Sequence, residues 1–231
     1  MMEPFQVWQD VYALGGPDIT SPSDCCVYLI DAGELVLIDS GVGDSFDRLV
    51  DNINVLGFNP RQLKAIIVTH AHIDHIGALA DFQQVYGVRL IAHELDAPAI
   101  ETGVGTGAEF YGAAYQPCRI DTVIGQSEAS LTIGRHEFHL VHIPGHTPGS
   151  LAVYLDIGKR VLFGQDIHGP YVPAWGADPA QAAVSLQTLF DLKADILCEG
   201  HFGIYQPADE VERYIAGYLH ELQQLNNELR S

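Results

Sequence analysis

The chain has 231 residues, 47% of them hydrophobic and 18% charged, which is enough to bury a sizeable core. Its 30 Asp and Glu against 11 Lys and Arg leave a formal net charge of -19, which repels phosphate backbones and sets nucleic acid aside as a partner. No run of about 18 apolar residues occurs, and Met1 to Asp10 is acidic and mixed, so neither a membrane span nor a signal peptide is expected and the chain reads as cytoplasmic.

Apolar segments alternate with turn signals and no repeat or polar linker interrupts them, so residues 1–231 read as a single domain. Strands are predicted over Gln6 to Leu14, Cys26 to Asp31 and Leu35 to Asp39, with Ala32-Gly33 turning a hairpin between the last two. Phe46, Leu49, Val50, Ile53 and Leu56 recur at helical spacing until Gly57 stops them. The apolar strand Ala65 to Val68 then runs into Thr69 and His70. Ile76 to Tyr86 reads as a helix, Val88 to Ala92 as a strand and Glu94 to Ile100 as a short helix.

The stretch Glu101 to Arg119 mixes four glycines with Phe110, Tyr111 and Tyr115, has no period, and has the character of a lid or binding loop. Strands return at Ile120 to Ile124, Ala129 to Ile133, Glu137 to His142, Ser150 to Leu155 and Arg160 to Phe163. Pro179 to Leu192 reads as a helix and Ile196 to Glu199 as a strand. From Ala208 to Leu229 an apolar stripe at helical spacing makes a long amphipathic helix, which packs on the domain or, at its far end, against a second copy in a homodimer. Two strand-rich halves, each finishing in helices, suggest sheets covered by helices. Cys25, Cys26, Cys118 and Cys198 lack Cys-x-x-Cys spacing and read as small packing residues.

In His70-Ala71-His72-Ile73-Asp74-His75, four side chains that bind divalent metals fall within six residues where a hydrophobic strand opens into a loop. Histidines at i and i+2 can converge on one ion, and imidazole with carboxylate suits zinc, iron or manganese. Further candidates each follow a strand: His146 in Pro144-Gly145-His146-Thr147-Pro148-Gly149, Asp166 in Phe163-Gly164-Gln165-Asp166, and His201 in Cys198-Glu199-Gly200-His201. Ligands at several strand ends can meet at one rim. His93, His136, His139, His142 and His220 have no partners at motif spacing and read as structural or surface residues.

On these motifs, together with Leu37-Ile38-Asp39-Ser40-Gly41, the chain resembles the metallo-β-lactamase superfamily, and within it the glyoxalase II-like metallohydrolases and lactonases. The resemblance implies an α/β fold, the four-layer αββα sandwich of the metallo-β-lactamase type. It implies two divalent metal ions, zinc first, with iron or manganese accepted by the same ligands. His70, His72 and His146 would hold one ion, Asp74, His75 and His201 the other, and Asp166 would bridge them. Asp39 would orient a ligand imidazole.

The implied chemistry is hydrolysis of an ester, lactone or thioester of a small molecule by a hydroxide shared between the ions. Asp74 would take part in proton transfer, and His168, with Tyr171 near it, would polarise or protonate the substrate oxygen. One departure narrows the family. After His201 the tail is a single acidic helix with Arg213 and Arg230 as its only positive side chains, where glyoxalase II enzymes add a basic helical domain for glutathione.

Two rival activities share the pattern. Sulfur dioxygenases, which are oxidoreductases, resemble it with one iron on His70, His146 and Asp166. Nucleases that process tRNA 3' ends share the histidine cluster, but the acidic charge opposes that activity. Substrate choice is expected to rest on the Glu101 to Arg119 loop and on Trp175.

Overall fold

The computed structural model describes residues 1–173 and 176–228, so Trp175, Leu229 and Arg230 lie outside the described residues. The chain forms two compact units. The first comprises Met1–Gly125 with Thr132–His136, the second Gln126–Leu131 with Glu137–Ser231.

The first unit is built on a seven-stranded sheet in simple sequence order, β1 (Phe5–Trp8), β2 (Val11–Gly15), β3 (Val27–Asp31), β4 (Leu35–Ile38), β5 (Leu63–Ile67), β6 (Arg89–His93) and β7 (Thr122–Ile124). Strands β1 to β4 pair antiparallel, β1 with β2 and β3 with β4 through short turns and β2 with β3 through the longer 16–26 connection. From β4 onward the pairing is parallel, because each return passes through helices: α1 (Phe46–Val55), then α2 (Ile73–Ile76) with α3 (Leu79–Tyr86), then α4 (Ala97–Thr102) with α5 (Ala108–Tyr111).

The core forms where the apolar stripe of each helix meets one face of the sheet. Leu49 and Ile53 of α1 and Leu79 and Phe82 of α3 join Leu29, Leu37, Ile66 and Leu90, all wholly buried. Phe46 and Phe82 meet edge to face with centroids 4.8 Å apart, an arrangement that adds to their burial. Residues of the 132–136 turn belong to this unit: Arg135 donates its amide to the Ala32 carbonyl (2.8 Å) and pairs its guanidinium with Asp10 and Asp31.

The second unit carries a six-stranded sheet in the order β13-β12-β11-β10-β9-β8, namely β13 (Ile204–Tyr205), β12 (Ile196–Glu199), β11 (Arg160–Gly164), β10 (Leu151–Asp156), β9 (His136–His142) and β8 (Glu128–Ile133). Its parallel pair, β11 with β12, is bridged by α6 (Pro179–Asp191). Asp178 caps α6 by accepting from the amides of Ala180 and Gln181, and Pro179 opens it. The terminal helix α7 (Ala208–Glu228) lays Val211, Ile215, Leu219 and Leu222 against Leu186 and Leu189 of α6 in a core with Leu162 and Leu197. Among the described residues no helix is long and apolar enough to cross a membrane.

Several boundaries differ from the sequence reading. The single strand expected over Gln6 to Leu14 is broken into β1 and β2 at Gln9, which takes a left-handed backbone (φ 37°) without glycine or proline to mark it. The helix expected from Ile76 to Tyr86 is two, because the chain turns at Gly77 and Ala78; Asp74 and His75 therefore ride a helical turn rather than an open loop. The Glu101 to Arg119 stretch contains α5, and β13 has only two residues, too few to show a period.

Phe82 is a sensitive point of the first core. Phe82→Ala should lower the unfolding free energy by about 3–5 kcal/mol, read as a shifted midpoint in urea at an unchanged slope.

Candidate metal centre

In the first unit the cluster is organised by Asp39, which follows β4 in a left-handed backbone (φ 62°) and is wholly buried. Asp tolerates that region better than most residues. Its Oδ1 accepts the Thr69 amide (2.8 Å), and its Oδ2 accepts the Thr69 hydroxyl (2.7 Å) and His75 Nδ1 (2.8 Å). With its own proton given to Asp39, Thr69 Oγ1 is left to accept from His70 Nδ1 at 3.2 Å. Both histidines thus have Nδ1 held from behind and present Nε2, the arrangement that metal-binding imidazoles need.

The presented atoms come in pairs. His70 Nε2 stands 3.1 Å from His72 Nδ1, and His75 Nε2 stands 3.6 Å from Asp74 Oδ2. The rings of His70 and His75 lie 3.9 Å apart between centroids. The backbone under them is pinned on several sides. The Ala71 amide goes to buried Asp96 (2.9 Å), the Ile73 amide to the Thr106 carbonyl (2.8 Å), and the His75 carbonyl accepts the Ser40 amide (2.8 Å). Gly77 donates to the Gly41 carbonyl at 2.8 Å. Gly77 has to be glycine, since a Cβ there would overlap the Val42 carbonyl.

Cys25 shares this neighbourhood, with its sulfur within 4.8 Å of ligand atoms of Asp39 and His75. Burial pushes its thiol well up, and the nearby His75 offsets that only in part. It therefore stays neutral and packs as a small apolar residue. Cys198 is likewise buried, whereas Cys26 and Cys118 are only partly so, and all four are free.

In the second unit, Asp166 takes the corresponding place after β11, again in a left-handed backbone (φ 53°). Its two oxygens face different histidines: Oδ2 is 3.3 Å from His146 Nε2 and Oδ1 is 3.3 Å from His201 Nε2. Gly200 makes this approach feasible, because a Cβ there would collide with the Asp166 carboxylate. The His146 turn is tied to α6 by the Ser185 hydroxyl on the Pro144 carbonyl (2.7 Å) and by the Asp178 amide on the Gly145 carbonyl (2.7 Å).

His168 is not exposed on its loop. Its Nδ1 meets Glu199 Oε1 at 2.7 Å and its ring lies edge-on to Phe202, with centroids 4.6 Å apart. Tyr171 spends its hydroxyl on the Ile167 carbonyl (2.7 Å), and burial, with Asp166 and Glu199 nearby, pushes that hydroxyl's pKa up. Of the two, His168 is the one with a second ring nitrogen to offer.

The donor set fits divalent metal. Two ligand atoms at about 2.0–2.2 Å from one tetrahedral ion stand about 3.3–3.6 Å apart. The pairs at 3.1, 3.6, 3.3 and 3.3 Å lie at or near that edge. Nitrogen and carboxylate oxygen from side chains that are buried or, at His72 and His201, partly buried suit zinc, iron or manganese.

Spacing in the sequence does not single out Asp24, Asp96 and Glu199. Each is a buried carboxylate that accepts a backbone amide of a loop flanking or carrying the cluster residues: Val42, Ala71, and both His201 and Phe202, respectively. Of the histidines without motif spacing, His136 pairs with Asp10 and His139 stacks on Tyr154.

Asp39 is the test of this organisation. Asp39→Ala should weaken zinc binding about 10–100-fold, measured by competition with a chromophoric chelator.

The model of the metallo-β-lactamase superfamily matches residues 21–201. A probable metallo-hydrolase of Bacillus subtilis, YflN, is 29% identical over 203 residues, covering 72% of this chain and 74% of its own length. Hydroxyacylglutathione hydrolase GloC of Haemophilus influenzae is 28% identical over 148 residues, 62% of this chain and 66% of its own. Among solved structures, a β-lactamase from Chitinophaga pinensis superposes with a TM-score of 0.78 at 23% identity, covering 98% of this chain and 93% of its own. The class B3 di-zinc metallo-β-lactamase LRA-12 from an Alaskan soil metagenome gives 0.78 at 24%, with 98% and 94% covered. The two sheets with their helices are those of this fold, and by its match to the family model the chain belongs to the metallo-β-lactamase superfamily.

Proposed function

We propose that residues 1–231 work as one hydrolase that uses two divalent metal ions, zinc first, to cleave an ester, lactone or thioester of a small molecule. His70, His72 and His146 would hold one ion, Asp74, His75 and His201 the other, and Asp166 both. The observation that carries this reading is the two-sided carboxylate of Asp166, with one oxygen on His146 and the other on His201. A mononuclear iron site, as in the sulfur dioxygenase reading, would use only His70, His146 and Asp166. It would leave the second set, Asp74, His75 and His201, without a purpose despite the anchoring of His75 by Asp39 and of His201 by Glu199.

When bound, such ions supply a nucleophile from water at neutral pH and polarise a carbonyl. The chain does the rest. Asp39 and Thr69 fix the imidazole orientations before substrate arrives, so no reorganisation is needed at the moment of reaction. Asp74, 3.6 Å from His75 Nε2, would take part in proton transfer, and His168, held by Glu199, would polarise or protonate the substrate oxygen. The name of GloC, a hydroxyacylglutathione hydrolase, supports cleavage at an acyl carbon. The net charge of -19 supports a small-molecule substrate over RNA.

Metal content combined with a substrate panel tests the reading. Two zinc ions per chain are expected, with hydrolysis of short esters, lactones or thioesters that a chelator abolishes and zinc restores. One iron per chain with oxygen uptake on persulfides would establish the oxidoreductase instead, and chelator-resistant hydrolysis would sink both.

A further inference from the structure

Glu199 ends β12 and is wholly buried, yet it is a carboxylate, so its placement needs a reason. Its Oε2 accepts the amides of His201 (2.7 Å) and Phe202 (2.9 Å), and its Oε1 meets His168 Nδ1 at 2.7 Å. A carboxylate that only capped the 200–202 turn would need the two amides and nothing more. The third bond reaches a histidine 31 residues earlier, from the loop after Asp166, at the length of a charge-assisted hydrogen bond.

We propose that Glu199 is a positioning residue that joins His201 and His168 into one rigid assembly, holding the first as a metal ligand and the second toward substrate. The inference rests on the metallohydrolase reading above. The connections close on themselves within the second unit. Asp166 faces His201, the His201 amide is held by Glu199, Glu199 holds His168, and His168 is two residues from Asp166. Edge-on rings complete the clamp, with His168 centroids 5.6 Å from His201 and 4.6 Å from Phe202. With Nδ1 on Glu199, Nε2 lies across the ring from it and is the nitrogen that a substrate oxygen would meet. His168 keeps 14% of its side chain exposed, so it is held without being sealed off.

Two measurements test this. In the zinc-free parent protein, imidazole-tuned 1H–15N spectra should show a downfield, slowly exchanging His168 Nδ1–H, assigned by its loss in His168→Ala. A rapidly exchanging His168 ring overturns the proposal without any assay of activity. Glu199→Gln then separates the two jobs. Its side-chain oxygen can still take the two amides, while its NH2 replaces the acceptor that His168 used.

Zinc content and KM for p-nitrophenyl acetate should stay close to parental in Glu199→Gln, while kcat falls about 10–100-fold. Adding His168→Ala should bring little further loss, as expected for residues acting as one unit. An unchanged kcat, or losses that multiply in the double variant, overturns the role. A parent protein without zinc-dependent hydrolysis would instead count against the metallohydrolase reading, and the spectra would still decide whether Glu199 holds His168.

Discussion

A carboxylate taken out of water must be met by donors, and the first unit's site is arranged around that requirement at Asp39. Three donors converge on it: the Thr69 amide, the Thr69 hydroxyl and His75 Nδ1. Each belongs to the segment that carries the histidine cluster, so satisfying one buried charge also fixes the end of β5, the rotamer of Thr69 and the plane of the His75 ring. Through Thr69 the constraint passes on to His70. The left-handed backbone at Asp39 costs about 1–3 kcal/mol, and it is what turns the carboxylate back over the strand end to meet them.

The same device recurs. Asp24 holds the Val42 amide and the Thr20 hydroxyl, Asp96 holds the Ala71 amide, and Glu199 holds two amides beside His201. Part of the acidic excess is thus internal framework and not solvated surface. These acids do not cancel the repulsion of polyanions at long range, but they show that the charge count has two origins, one colloidal and one architectural.

This division explains what could be read from the sequence. His70, His72, Asp74 and His75 stand out because residues of one rare chemistry are spaced closely, and no folding is needed to see it. Asp39 was legible through its motif. Asp24, Asp96 and Glu199 were not, because a carboxylate is recognisable as structural only once its burial is known, and nothing local separates them from the other acids among the 30. Helix α3 and its predecessor read as one element since Ile76, Leu79 and Phe82 keep helical spacing across the break at Gly77. At the break the Gly77 amide donates to the Gly41 carbonyl, a bond between residues 36 positions apart.

The ligand-bearing turns and the Glu101 to Arg119 loop differ in how they are held, and that difference bears on specificity. The turns are pinned by buried acids and by glycines that a side chain would displace. The loop touches the cluster through a backbone bond, Thr106 carbonyl to Ile73 amide, packs Tyr115 and Cys118 against the core, and exposes Val104 and Phe110. A backbone bond places few demands on side chains, so the exposed Val104 and Phe110 can change without disturbing the imidazoles beneath. Strain, burial and glycine packing preserve the frame, while the exposed part of the loop is held by few such constraints. Similarity of fold therefore carries the hydrolytic frame from one member of the superfamily to another without carrying its substrate.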